Sequence, residues 1–326
     1  MLINRIKRVA KRIFFPQTME KDNINKVKLY VANYNEQSFA KGELTQQKQF
    51  EPYITRMYHI LEKGLAFENF RAGFGKANVD ELITAMTNYS KIFGTDAIFY
   101  STAIDVLNRY VEKNKEYGVQ DLELEEKIRQ LGGKRNNLGG TVEVTPINKK
   151  TLQDMDYKQF ILSRHSIRQF SRQPVDVNII VDAVKLAQHT PSACNRQGWH
   201  TRIISNKDMV LKVLSNQNGN RGFTEEIDKV LIITANLRCF NRDREIFQPY
   251  IDGGMYAMSI LNSLHYYGLA SIPLSASLTN EQEKNLRNLL NINNEEVLIL
   301  IVGVGNYLEK CVTTRSERYL AEIDII

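Results

Sequence analysis

The chain has 326 residues, more than a single domain of about 100 to 200 residues accounts for, so two units are expected. A hydrophobic fraction of 43% beside 25% charged residues is ordinary for a globular chain, and no run of about 18 apolar residues occurs that could span a bilayer. The net charge of +6 does not point to nucleic acid, because Arg5, Lys7, Arg8, Lys11 and Arg12 all precede the first acidic residue, Glu20, and the remainder is near neutral.

Taken in order, residues 1–15 set Leu2, Ile6, Val9 and Ile13 at helical spacing with the cations on the other face. This predicts a basic amphipathic segment, either touching the inner surface of a membrane or packing on its own protein. The stretch lacks the unbroken apolar core and small-residue cleavage site of a secretory signal, so a cytoplasmic protein is expected. Up to residue 132 the spacing is helical. Tyr53, Met57, Ile60, Leu61 and Leu65 form one stripe. Asn78 is a candidate cap for a second helix closed by Gly94, Asp96 opens a third, and a fourth covers Leu122 to Leu131. Arg56, His59, Glu62, Lys63 and Arg71 make a polar set beside the first stripe, readable as a lid over a site or as a solvated face.

Glycines at 132, 133, 139 and 140, with Pro146, mark residues 133–150 as a linker between a helical domain (1–132) and a second domain (151–326). Beyond it, helices alternate with short β-branched runs. Helices are predicted over Met155 to Arg164, Val177 to His189, Lys207 to Leu214, Ile251 to Tyr267 and Asn280 to Leu290. Strands are predicted over Thr201 to Ile204, Val230 to Thr234, Ala270 to Pro273 and Val297 to Val302. Cys194, Cys239 and Cys311 are odd in number and widely spaced, and the histidines form no HExxH pair, which argues against a disulfide framework and a metal site. Any redox chemistry therefore falls to an organic cofactor.

Two stretches carry chemistry. Arg164, Ser166 and Arg168 put two guanidinium groups and a hydroxyl within five residues, a set suited to oxyanions, although a charged helix end would read the same way. The stretch Thr190 to His200 is small and polar and runs into Trp199, the only tryptophan. It suits close approach to a flat ring, or else it is a helix-to-strand connection whose tryptophan fills the core.

In this order and spacing the two stretches resemble the FMN-dependent nitroreductase family, which has an Arg-x-Ser-x-Arg/Lys element followed by Pro-Ser-x-x-Asn-x-Gln-Pro-Trp. Here Gly198 stands where the family has its second proline. Asp252-Gly253-Gly254, the run from Gly268 to Ala276, and Ile299 to Gly305 with Arg315 and Arg318 beyond it are similar to later family segments, so the resemblance covers about residues 154–326. It implies an α+β fold: a nitroreductase-like mixed sheet flanked by helices, attached here to an all-helical N-terminal domain. It also implies a homodimer holding two FMN molecules in shared clefts, with NADH or NADPH as electron donor and an electron-poor small molecule as acceptor.

Under the resemblance, Arg164, His165 and Ser166 line the flavin phosphate, helped by Arg315 or Arg318, while Arg168 lies at the pyrimidine edge as a tuning cation. Pro191, Ser192, Ala193, Asn195 and Gln197 reach the flavin of the partner subunit, and Pro273, Leu274, Ser275 and Ala276 pass beside N5 and O4. No protein side chain is expected to act as a catalytic acid, base or nucleophile, and no metal or nucleic acid is expected to bind. Two alternatives stay open: a flavoenzyme running oxidatively on a biosynthetic intermediate, and a non-catalytic flavin-fold scaffold.

Overall fold

A computed structural model describes residues 44–240 and 245–326, together with 24, 25, 27 and 28; the basic segment 1–15 lies outside the described residues. The described residues fall into two compact units, one of 44–145 with 310–326 and the other of 146–309 with 24, 25, 27 and 28. None of the described helices is long and apolar enough to cross a membrane.

The helical unit contains α1 (Gln47–Ala66), α2 (Lys76–Phe93), α3 (Ile98–Glu116) and α4 (Leu122–Leu131). Their apolar stripes meet in one core that includes Ile54, Leu61, Leu82, Met86, Tyr100 and Leu107. Helix α2 begins at Lys76 and not after Asn78, because Gly75 takes a left-handed conformation (φ 67°) that turns the chain into the helix three residues earlier. Asp121 caps α4, its carboxylate accepting from Leu124 N at 3.0 Å.

The stretch expected to be a linker is instead pinned to this unit. Asp105, fully buried on α3, accepts from Leu138 N at 3.0 Å and Gly139 N at 3.4 Å, and Glu62, fully buried on α1, accepts from Gly140 N at 3.0 Å. Glu62 is therefore no part of a solvated face. A side chain at position 139 would place its Cβ 2.4 Å from the Thr102 carbonyl oxygen, which explains the glycine. The chain then forms β1 (Thr141–Val144), which pairs antiparallel with β7 (Cys311–Thr314), Val144 facing Cys311. So the C-terminal stretch 310–326, expected in the second domain, belongs to the helical unit.

The sheet unit holds α5 (Lys149–Asp154), α6 (Tyr157–Ser163), β2 (Phe170–Ser171), α7 (Val177–Ala187), β3 (Trp199–Ile204), α8 (Lys207–Leu214), β4 (Lys229–Asn236), α9 (Gln248–Tyr266), β5 (Ala270–Ser275), α10 (Asn280–Leu290) and β6 (Glu296–Tyr307). The helix predicted from Met155 to Arg164 begins only at Tyr157, because Met155 is extended and Asp156 caps through Gln159 N, and it is preceded by the unforeseen α5. Strand order is β3-β4-β6, with β5 and β2 also on β6, and each pairing is antiparallel. The mixture in this α+β fold is thus of helices with sheet, not of strand directions.

Helix α9 lies across the sheet. Tyr256, Ile260 and Leu264 join Leu231, Ile233, Val302 and Val304 in one core, and Gly253 lets the helix approach β6 where a Cβ would stand 2.6 Å from Ile299. Trp199 stacks on Tyr256 with ring centroids 4.6 Å apart, so the tryptophan is a core residue.

Candidate functional site

The Arg164 element begins where α6 ends. Arg164 is the extended residue closing that helix, and three residues on Ile167 is buried and donates its N–H to Ser271 O of β5 at 3.0 Å. Arg164, His165, Ser166 and Arg168 surround this anchor and are each half-buried. Arg168 Nη1 donates to Ser166 O at 3.5 Å. Beneath them lies His265 in the last turn of α9. Burial, then the neighbouring Arg164 and His165, push its pKa down to about 4.

Ser275 closes the same strand β5 that holds Ile167, and Ala276 follows it. Ser275 Oγ accepts from Ser277 N at 2.9 Å, and Ser275 O accepts from Gln217 Nε2 at 3.1 Å. Pro273 is half-buried and Leu274 is buried against the sheet, so Leu274 offers a ligand only its backbone. Gln217 belongs to a polar loop in which Asn220 Nδ2 donates to Leu214 O and to Gln217 O, each at 2.8 Å. The sequence reading did not single out this loop.

The second element is a rigid loop. Cys194, Asn195 and Gln197 have φ of 53°, 54° and 50°, the left-handed region that side chains disfavour. Several bonds hold it there. Ala193 N donates to Asp252 Oδ2 at 3.2 Å, Gln197 N to Ser192 Oγ at 2.9 Å, and Arg196 Nε to Ala193 O at 2.9 Å. Arg196 also forms a two-pronged ion pair with Glu245, at 2.7 and 2.9 Å. Gly198 adds to the fixation: a Cβ there would come within 2.9 Å of Cys239 and 3.0 Å of Phe240. Pro191, Cys194, Asn195 and Gln197 face solvent.

Asp252 and His265, which anchor the two elements, sit near opposite ends of α9 and were not foreseen as site residues. The available signal was a lone acid and a lone histidine within a helix otherwise apolar on several faces. Arg315 and Arg318 fall in the helical unit, both exposed; Arg315 N donates to Gly140 O at 3.1 Å and Arg318 bonds Ser316 O.

The donor set fits a flavin mononucleotide. Two guanidinium groups and a hydroxyl suit one terminal phosphate and an electron-rich ring edge, and the sequence has no GxGxxG turn for a pyrophosphate.

A sheet crossed by one long helix, with a turn bearing two arginines and a serine near one end of that helix and a constrained polar loop near the other, defines an α+β domain. Residues 161–306 match the model of the nitroreductase family, and this stretch is a nitroreductase-family domain, which places it among oxidoreductases. The chain is 25% identical over 147 residues to an Archaeoglobus fulgidus protein named for NADH dehydrogenase/NAD(P)H nitroreductase activity, covering 45% of this chain and 83% of that protein. It is 30% identical over 105 residues to an NADH dehydrogenase of Thermus thermophilus, covering 32% of this chain and half of that protein. Among solved structures, an FMN-dependent nitroreductase from Clostridium difficile is 18% identical with a TM-score of 0.40, covering 45% of this chain and 85% of that one.

Proposed function

We propose that the sheet unit is an FMN-dependent NAD(P)H oxidoreductase that passes electrons to an electron-poor small molecule and works as a homodimer. The observation that carries this reading is the bond from Ile167 N to Ser271 O. It sets the Arg164–Arg168 element beside the start of β5, while Ser275 and Ala276 follow about 13 Å further along the strand at 3.3 Å per residue. One flavin can span that interval, phosphate at Arg164 and Ser166, ring edge toward Ser275.

When bound, FMN supplies the two-electron chemistry, accepting a hydride from the nicotinamide and giving it to the acceptor. The chain's own residues bind and tune. Arg164 and Ser166 hold the phosphate, and Arg168 places a fixed positive charge where negative charge gathers on reduction, raising the potential. The Ser192–Gln197 loop acts as a wall for a ring, its left-handed residues turning Asn195 and Gln197 outward.

The homodimer is supported by α9. Phe247, Ile251, Met255 and Met258 leave 40 to 53% of their surface exposed at helical spacing, and the helix shows no exposed charge because Asp252 and His265 are buried. Asp252 and His265 are also thirteen residues apart, about 20 Å along a helix. That separation suits two elements serving different flavins. Mixing Arg164→Ala with Asn195→Ala subunits should then regenerate about one intact site per heterodimer. Failure to recover flavin binding despite proven subunit exchange would rule out sharing.

For the function itself, the purified protein should be yellow or become so with FMN, and anaerobic NADH or NADPH should bleach the flavin band. Stoichiometric FAD, or a protein left colourless after FMN addition, would overturn the proposal.

A further inference from the structure

We infer that His265 is a positioning residue for phosphate recognition, fixing the Arg164 turn from beneath through Ser163. The inference deepens the proposed function and rests on Arg164 and Ser166 as phosphate ligands. His265 is 3% exposed, and its Nε2 lies 2.8 Å from Ser163 Oγ. Ser163 Oγ donates its proton to Phe160 O at 2.9 Å, so the imidazole donates from Nε2 and Nδ1 carries a lone pair. That Nδ1 is buried with no hydrogen-bond partner, a cost that an apolar residue would avoid, so the histidine is there for its Nε2. The Phe160 ring packs on it at 5.0 Å.

Ser163 is the last residue of α6 and Arg164 the next, so the bond fixes the point from which the guanidinium departs. The second anchor, Ile167 N to Ser271 O, lies just beyond Ser166. Both anchors come from one short piece of chain, since His265 O accepts from Gly268 N at 2.8 Å and β5 begins at Ala270. The end of α9 and the start of β5 thus bracket Arg164 and Ser166 from both sides. The charged groups facing His265 are Arg164 and His165, which together with burial keep it neutral at pH 7, where a lysine or arginine would repel the element it supports.

The test compares FMN with riboflavin, which lacks the phosphate, by flavin-fluorescence titration of the flavin-stripped protein. His265→Phe keeps the packing on Phe160 but loses the bond, and Ser163→Ala removes the other partner. Each should lower the preference for FMN over riboflavin about tenfold, with riboflavin affinity nearly unchanged. His265→Gln restores a donor and should recover most of the preference. An unchanged preference in folded His265→Phe, or equal loss for both ligands, would overturn the inference; if that variant does not fold, Ser163→Ala decides. Arg164→Ala separates the layers. If it leaves the preference intact, the phosphate reading fails and takes this inference with it. If it abolishes the preference while His265→Phe and Ser163→Ala do not, only the role of His265 fails.

Discussion

Glu62 and Asp105 in the helical unit and Asp252 and His265 in the sheet unit are four buried polar side chains on helices, yet they hold different kinds of chain. The first two accept consecutive backbone N–H groups at Leu138, Gly139 and Gly140, two of them buried glycines. The second two hold segments that reach the surface: Asp252 the loop displaying exposed Cys194, Asn195 and Gln197, and His265 the turn carrying half-buried Arg164 and Ser166. A buried polar group that closes onto backbone inside a core secures a connection. One that supports partly exposed residues, some with strained backbone, lies where the proposed function puts the flavin.

This contrast can be broken by substitution. The largest effect is expected away from both pairs, at the ion pair of Arg202 with Glu296, bonded at 2.6 and 2.7 Å. Arg202→Ala leaves a nearly buried carboxylate uncompensated and should cost about 3 kcal/mol in urea unfolding, while the paired change Arg202→Met with Glu296→Leu should cost much less. Next comes the ligand-facing side. Arg164→Ala should weaken FMN binding by about 1.5 to 3 kcal/mol with little change in unfolding, whereas Arg168→Ala should mainly lower the flavin potential. A potential unmoved by Arg168→Ala would place that cation elsewhere.

On the connection side the order reverses. Glu62→Leu strands the Gly140 N–H and should cost about 2 kcal/mol of stability without altering flavin affinity; Glu62→Gln, which keeps an acceptor, should cost less than about 1. Hydrogen exchange at residues 138–140 is the sharper readout, rising in the first variant only.

Stability against pH gives a further readout. Arg202 and Thr234 hold the Glu296 carboxyl down to about 2 from its ordinary 4.5, so its contribution is complete above 4.5 and is lost as pH falls toward 2. Burial holds His265 at about 4 against an ordinary 6.5, so from pH 6.5 down to 4 the unfolded chain takes up a proton that the folded chain refuses. Stability should therefore begin to fall below pH 6.5, earlier than the carboxylate alone dictates. His265→Phe should remove that upper part of the slope.

The helices α1 to α4 were legible because Tyr53, Met57 and Leu61, or Leu82, Met86 and Tyr89, repeat at helical spacing and pack as that spacing requires. Strands β1 and β7 were not. Four residues each leave no periodicity to read, and the pairing of Val144 with Cys311 joins positions far apart in the chain. At the site, Arg164, Ser166, Arg168 and Asn195 were legible from residue type and order. Their supports, Asp252, His265, Glu245 and Gln217, acquire a role only once the fold brings them beneath a turn or loop. The break at Met155 and Asp156 also escaped, since Asp156 caps through geometry that apolar spacing does not record.

The ladder of β1 and β7 has a consequence for how such a chain could arise. Its last rung, Val144 opposite Cys311, lies next to two of the points where the chain passes between the units, 145/146 and 309/310. Residues 146–309 are thus carried between the two strands of one ladder, as an insertion at the tip of a hairpin would be. A tight turn from Thr145 to Lys310 would leave that ladder paired without them. The oxidoreductase domain could then be acquired, exchanged or lost without rebuilding the core that carries it.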